Sequence, residues 1–270
     1  MTYNKIITLD TDFISKMYDI KGKENERLLD KIMEIQCDMC CCHSRIVEEV
    51  KRHDRNGALL WLNGKIESSE IEVYSDNRIL EELAIILPKQ HIQFYVDSLK
   101  DVCENFKSGY FNEVYIETSK LDYNSIEIND FVDVLNKDEK RAQLDYNLGE
   151  LKTFILIAAL QFIYSKDVYI FCSDDVKARK CIVSIGNVRC ISVLSSFLRL
   201  VKEVDFEKDE AIPFINSYLD MLHKGNQKNF KIQDANDYNK IYKVECDKVL
   251  KGIFDNEFIE LKNGMLRYRK

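Results

Sequence analysis

The chain has little of what bends or loosens a backbone: 2 prolines and 9 glycines among 270 residues. So few breaks exclude a Pro/Gly-rich linker or a low-complexity tract and favour helices. No apolar run approaches the ~20 residues that a membrane-spanning helix needs, and the apolar stretch from Phe154 to Tyr164 falls well short. The opening Met1-Thr2-Tyr3-Asn4-Lys5 lacks a signal-peptide layout, so a cytoplasmic protein with no membrane partner is expected. Runs of Lys/Arg are also missing. With a formal charge of −7, wholesale attraction to nucleic acid is excluded, although a local cationic groove is not.

Cysteine, by contrast, is plentiful. The nine cysteines are an odd number and lie in apolar, strand-like runs such as those holding Cys172 and Cys190. That is the usage of reduced, buried thiols rather than of a disulfide framework. The dense run Cys37-Asp38-Met39-Cys40-Cys41-Cys42-His43 invites zinc, but no second Cys/His pair follows at a finger or ribbon spacing. It reads instead as a short buried strand.

A hydrophobic share of 46% supports a substantial core. Lys5–Leu9 and Val168–Cys172 read as buried strands, and Val188 to Val193 as a last core strand. Helices are expected over Glu24 to Ile35 and from Ser44. Two packed helices follow, Arg78 to Leu87, ended by Pro88, and Ile92 to Phe106. A further strand is expected over Glu113 to Glu117, and a buried helix opens at Leu148. From Phe197 onward the chain reads as an appendage. It comprises a helix ending near Gly225, another over Tyr238 to Ile253, and a small hairpin turning at Asn263-Gly264.

Four acidic positions adjoin these apolar runs. Asp10 ends the first strand, and Glu49 lies in the helix that leaves Ser44, beside Glu48. Glu150 sits in the first turn of the apolar Leu148 helix, and Asp174-Asp175 follow Ser173 at the tip of the Val168 strand. Each has an ordinary structural use. Asp10, Asp174 and Asp175 can cap helices, Glu49 can face solvent, and Glu150 can oppose a helix dipole. Glu150 is hardest to account for in this way, because apolar residues surround it. If the acids converge at the carboxyl ends of parallel strands, they form a hard-oxygen cage suited to Mg²⁺ or Mn²⁺.

Leu9-Asp10-Thr11-Asp12, Glu49, Gly149-Glu150 and Cys172-Ser173-Asp174-Asp175-Val176-Lys177-Ala178-Arg179, taken in order, resemble the PIN-domain nuclease family. The likeness covers motifs of roughly the first two hundred residues and leaves out the middle section and the tail. It implies a three-layer α/β/α sandwich around a central parallel sheet over residues 1–196. A helical insertion at about 53–142 interrupts it, and a mixed helical and hairpin appendage follows at 197–270. It also implies a Mg²⁺- or Mn²⁺-dependent endoribonuclease whose catalytic acids are Asp10, Glu49, Glu150 and Asp174. Asp175 is a supplementary metal ligand, and Ser173, Lys177 and Arg179 are candidates to orient acid or phosphate. An RNA substrate, a regulatory protein partner and self-association are compatible with this assignment. Asp12 departs from the family's usual Asn.

Two other readings stand beside it. Asp10-Thr11-Asp12 also resembles the Asp-x-Asp start of haloacid-dehalogenase-type phosphatases, with Asp10 the nucleophile and Asp12 the acid/base. Phe13-Ile14 then replace that family's Gly-Thr, and Glu49 and Glu150 have no part in its chemistry. The third reading is a PIN-like scaffold that binds RNA or protein without cutting.

Overall fold

The computed structural model describes residues 5–53, 57–141, 147–184 and 187–270; residues 1–4 of the opening segment lie outside them. The centre is a five-stranded, wholly parallel sheet of order β3-β2-β1-β4-β5. Its strands are β1 (Lys5–Leu9), β2 (Met39–His43), β3 (Glu72–Tyr74), β4 (Val168–Cys172) and β5 (Val188–Ile191). Such a sheet is covered on both sides, which is why its inner strands β1, β2 and β4 are uncharged through the middle, while the edge strand β5 carries an exposed Arg189. Successive side chains feed two different cores. Ile7, Leu9, Cys40, Cys42, Ile170 and Cys172 point to one, and Ile6, Cys41, Tyr169 and Phe171 to the other.

Helices α1 (Thr11–Asp19), α2 (Leu28–Met33), α3 (Ser44–His53) and α4 (Ala58–Glu67) cover the first face. The second is built from α5 (Asp76–Ile86), α6 (His91–Phe106), the single turn α7 (Tyr110–Glu113), α8 (Ile128–Arg141), α9 (Leu148–Tyr164) and α10 (Val176–Ile182). Helices α11 (Val193–Glu203), α12 (Lys208–Lys224) and α13 (Cys246–Phe254) return to the first face. The result is a three-layer α/β/α sandwich. Its first core is continuous with the C-terminal region, which carries a mixed sheet of order β7-β6-β9-β8. Those strands are β6 (Asn229–Gln233), β7 (Ile241–Glu245), β8 (Phe258–Glu260) and β9 (Leu266–Tyr268).

Helix α9 is buried nearly all round, as its sequence requires. The Asn263-Gly264 hairpin is also present, with Gly264 at φ +73° and Phe258 paired to Tyr268. The cysteines are all reduced, and Cys40, Cys41 and Cys42 are buried in β2. Among the described residues, no helix is long and apolar enough to cross a membrane.

Several local expectations are corrected. Glu113 to Glu117 forms no strand. Val114 and Tyr115 are buried, and Tyr115 stacks on Phe111 at 4.8 Å, so their apolarity serves packing rather than pairing. Regular helix begins at Leu28 rather than Glu24, because Glu24 and Asn25 have positive φ (55° and 66°). The stretch from Tyr238 divides into strand β7 and helix α13. Alternating burial at Ile241–Glu245 pairs with β6, and the turn before it is held by Asp234 Oδ1, which accepts from the amides of Asn236 and Asp237. The middle section holds α4 and β3 in addition to the expected helices.

In a doubly wound sheet, the crevice at the strands' carboxyl ends opens where the strand order reverses. Here that is between β1 and β4, the strands that precede Asp10 and Asp174.

Candidate active site

Asp10 continues the β1 ladder by one residue, its amide donating to Cys172 O at 3.0 Å, before the chain turns into α1. Its side chain caps that helix, Oδ1 accepting from Thr11 N at 2.8 Å. The cap is buried, with 3% of the residue exposed. Burial, then the charges of Asp12 and Glu150, push its carboxyl well above the ordinary carboxylate range, against the smaller opposing effects of Ser173 and the Thr11 amide. A capping role alone does not require two further acids beside it.

Those acids come from separate elements. Asp12, in the first turn of α1, has its carboxyl raised by burial. Lys16 opposes the rise, and Asp174 and Asp175 add to it. Glu150, in the first turn of α9, is pushed up to about 7 by burial and by Glu49, Asp175 and Asp12, against a hydrogen bond from its own amide. Asp10, Asp12, Glu49, Glu150, Asp174 and Asp175 therefore form one electrostatic group at the reversal of the sheet, each within reach of at least one other.

Glu49 has a defined mechanical position. It points inward from α3, 9% exposed, whereas Glu48 faces outward and pairs with Arg45 at 3.1 Å. Glu49 Oε2 accepts from Thr11 Oγ1 at 2.8 Å, and Oε1 accepts from Gly149 N at 3.1 Å. One carboxylate thus fastens the first turn of α1 to the first turn of α9. The approach is so close that a Cβ at Gly149 would lie 2.4 Å from Glu49 Oε2, which explains why glycine precedes Glu150.

Asp174 and Asp175 divide their work. Asp174 Oδ2 pairs with Lys16 Nζ at 2.7 Å, and Oδ1 accepts from Val193 N at 3.2 Å. Burial works against the Lys16 charge, but Asp174 and Asp12 outweigh it and raise the ammonium pKa. Asp175 caps α10 through Ala178 N at 2.8 Å. Ser173 is fully buried; its Oγ accepts from Asp175 N at 3.1 Å and lies 3.5 Å from Asp12 Oδ1. Arg179 is buried rather than solvent-facing. It donates to Ser173 O at 2.7 Å and to Asn263 O at 3.0 Å, tying the acidic turn to the C-terminal hairpin. Lys177 lies over the Phe106 ring, 4.1 Å from its centroid.

The donor set is entirely oxygen, the set that suits Mg²⁺ or Mn²⁺. Raised carboxyl pKa values among crowded acids are what a divalent cation relieves, so the residues fit such an ion chemically. Among the described residues, no three His, Cys, Asp or Glu side chains already stand as a finished metal cage. Lys16 on Asp174 and the Thr11 and Gly149 donors on Glu49 hold two of the acids in other contacts.

A second charged group, unexpected from the sequence, lies next to the first. Lys152, one helical turn beyond Gly149 and 2% exposed, contacts Asp76 at 2.9 Å, Glu139 at 2.7 Å and Tyr95 Oη at 2.9 Å. Asp76 also accepts from Tyr95 Oη and lies 3.3 Å from His43 Nε2. Burial opposes the charge on Asp76, but Lys152 and His43 outweigh it and hold the carboxyl far below its usual range. The available sequence signal was a lone lysine inside an otherwise apolar helix.

Compared with family models, curated proteins and solved structures, the chain matches none. Its class rests on its own geometry: a doubly wound α/β/α protein with an acid-rich crevice where the strand order reverses.

Proposed function

We propose that the protein is a Mg²⁺- or Mn²⁺-dependent nuclease that hydrolyses internal phosphodiester bonds of RNA. The observation that carries this reading is the gathering of Asp10, Asp12 and Glu150, from two elements that only the fold brings together, into one buried acidic crevice where burial and neighbouring acids raise all three carboxyls. Charge crowded in this way costs stability, and a divalent cation removes that cost.

Asp10, Asp12 and Glu150 would hold the ion, with Glu49, Asp174 and Asp175 around them. When bound, such an ion supplies a lowered pKa for an attacking water and neutralises charge on the scissile phosphate. The chain's own residues do the rest. Ser173 and the Thr11 amide orient Asp10, and Glu49 fixes the α9 turn that carries Glu150. Lys16 limits repulsion by pairing with Asp174.

The test is incubation with mixed single-stranded RNA and DNA and Mn²⁺, alongside Asp174→Asn. Internal cuts by the wild type that the variant loses are expected. Cleavage by both proteins would mark a contaminant, and hydrolysis of a small phosphomonoester with no internal cuts would replace the nuclease reading with the phosphatase one.

A further inference from the structure

Beside the acids lies a cavity of about 340 Å³, between α3, α8 and the start of α9. It begins where the acid group ends. Arg45, on its wall, approaches Glu49 Oε1 at 3.6 Å, and Leu148, also on its wall, directly precedes Gly149-Glu150. Its lining includes Arg45 and Arg52 from α3 and Asn136 and Lys140 from α8. Two of its lining carboxylates, Asp76 and Glu139, already face cations and hydroxyls. Asp76 faces Lys152, Tyr95 and His43, and Glu139 faces Lys152 and Tyr110. Two buried nitrogens on the wall are poorly matched to their acids among the described residues: His43 Nε2 lies 3.3 Å from Asp76 and Arg45 Nε lies 3.6 Å from Glu49, and neither makes a well-formed hydrogen bond.

We infer that this cavity is a phosphate subsite: Arg45, Arg52 and Lys140 hold a backbone phosphate of the strand whose neighbouring phosphate is presented to the acids. The inference rests on the nuclease reading for its substrate, but on the cavity's own chemistry for its place. A phosphate oxygen supplies the well-placed acceptor that a guanidinium nitrogen lacks, and guanidinium is the group best shaped for it. Among the described residues that line it, Leu148 is the one aliphatic side chain and the rest are polar or charged, a lining that suits a phosphate and sugar. The site also gives the insertion a purpose. Its helix α8 supplies the wall that α3 and α9 alone would leave open.

The rim acid Glu48 provides a test of opposite sign. It is largely exposed and holds Arg45 Nη1 at 3.1 Å, so it competes with an incoming phosphate for that guanidinium. The experiment is fluorescence anisotropy of the full chain with a short labelled single-stranded RNA in EDTA, over a series of salt concentrations. Arg52→Ala and Lys140→Ala are each expected to weaken binding about three- to tenfold and to flatten the salt slope by up to about 0.7, the value of one whole phosphate contact on a single strand. Glu48→Gln is expected to tighten it. Lys100→Ala, an exposed lysine on α6, is the control for general charge.

Wild-type affinity and slope in both alanine variants, or an equal loss in Lys100→Ala, would overturn the subsite. Cleavage is read separately on the same proteins. A wild type that cuts while the variants bind normally keeps the nuclease and discards the subsite; a wild type that never cuts while the variants weaken does the reverse.

Discussion

Lys152→Met is expected to cost about 3–5 kcal/mol of folding stability, measured by urea unfolding in EDTA. The lysine carries the charge that Asp76 and Glu139 face in a region closed to water. Burial alone opposes its ionisation, yet Asp76 and Glu139 outweigh that and hold its pKa above the ordinary lysine value. Methionine preserves the stem and deletes the charge, leaving two carboxylates and the Tyr95 hydroxyl without their common partner. A buried group of this kind is weak evidence of net stabilisation when removed whole, but breaking it by one member is costly. Lys152→Met combined with Asp76→Asn should therefore recover part of the loss. A deficit below about 1 kcal/mol in the single variant, the range of exposed ion pairs, would contradict this description.

The acids of the crevice are expected to act in the opposite direction. Glu150 is held at about 7 against an ordinary value of 4.5, so the folded protein binds its proton more tightly than the unfolded chain does. Its contribution is fully present below about pH 4.5 and is lost as pH rises through 7, because the unfolded chain releases the proton first. Once both states are ionised, the penalty is roughly 3 kcal/mol. Asp10, raised for the same reasons, extends the decline. In EDTA, stability should fall between pH 5 and pH 8, and Glu150→Gln should flatten that fall and leave the protein more stable than the wild type at pH 8. Asp76 does not confuse the measurement, since its depressed carboxyl loses its contribution only on acidification below the ordinary aspartate range. Loss of stability in Glu150→Gln at pH 8 would mean that Glu150 serves structure. A gain would be the signature of a residue kept for function at the expense of stability.

Much of this was legible along the chain because parallel strands buried on both faces leave a plain mark. The uncharged runs ending at Leu9 and Cys172 announce β1 and β4, and the acids after them fall at the reversal of the sheet. The apolar surroundings of Glu150 likewise single out a carboxylate that the packing of its helix does not call for. What was not legible depends on distance in sequence. Glu49 and Glu48 are neighbours, and only the packing of α3 on α9 turns one inward to Gly149 and the other toward Arg45. Lys16 reads as a surface residue of α1 until β4 places Asp174 beside it. Asp76, after Ser75, has the spelling of a helix start, and its buried role depends on Lys152, 76 residues later. Short elements escaped for a simpler reason: β3 has 3 residues, too few for alternation to register.

The central claim, that these acids form a divalent-cation site, is tested most directly by melting temperature against Mn²⁺ concentration at pH 8, for the wild type and Asp10→Asn. A saturable rise is expected for the wild type. At a hundredfold excess over Kd the gain is about 2.7 kcal/mol, which corresponds to a shift of roughly 5–10 °C for a chain of this size. Asp10→Asn should melt higher than the wild type without metal and respond little to it. A wild type whose melting temperature stays fixed across the whole titration, with Mn²⁺ or Mg²⁺, would contradict the cation site and the nuclease reading built on it.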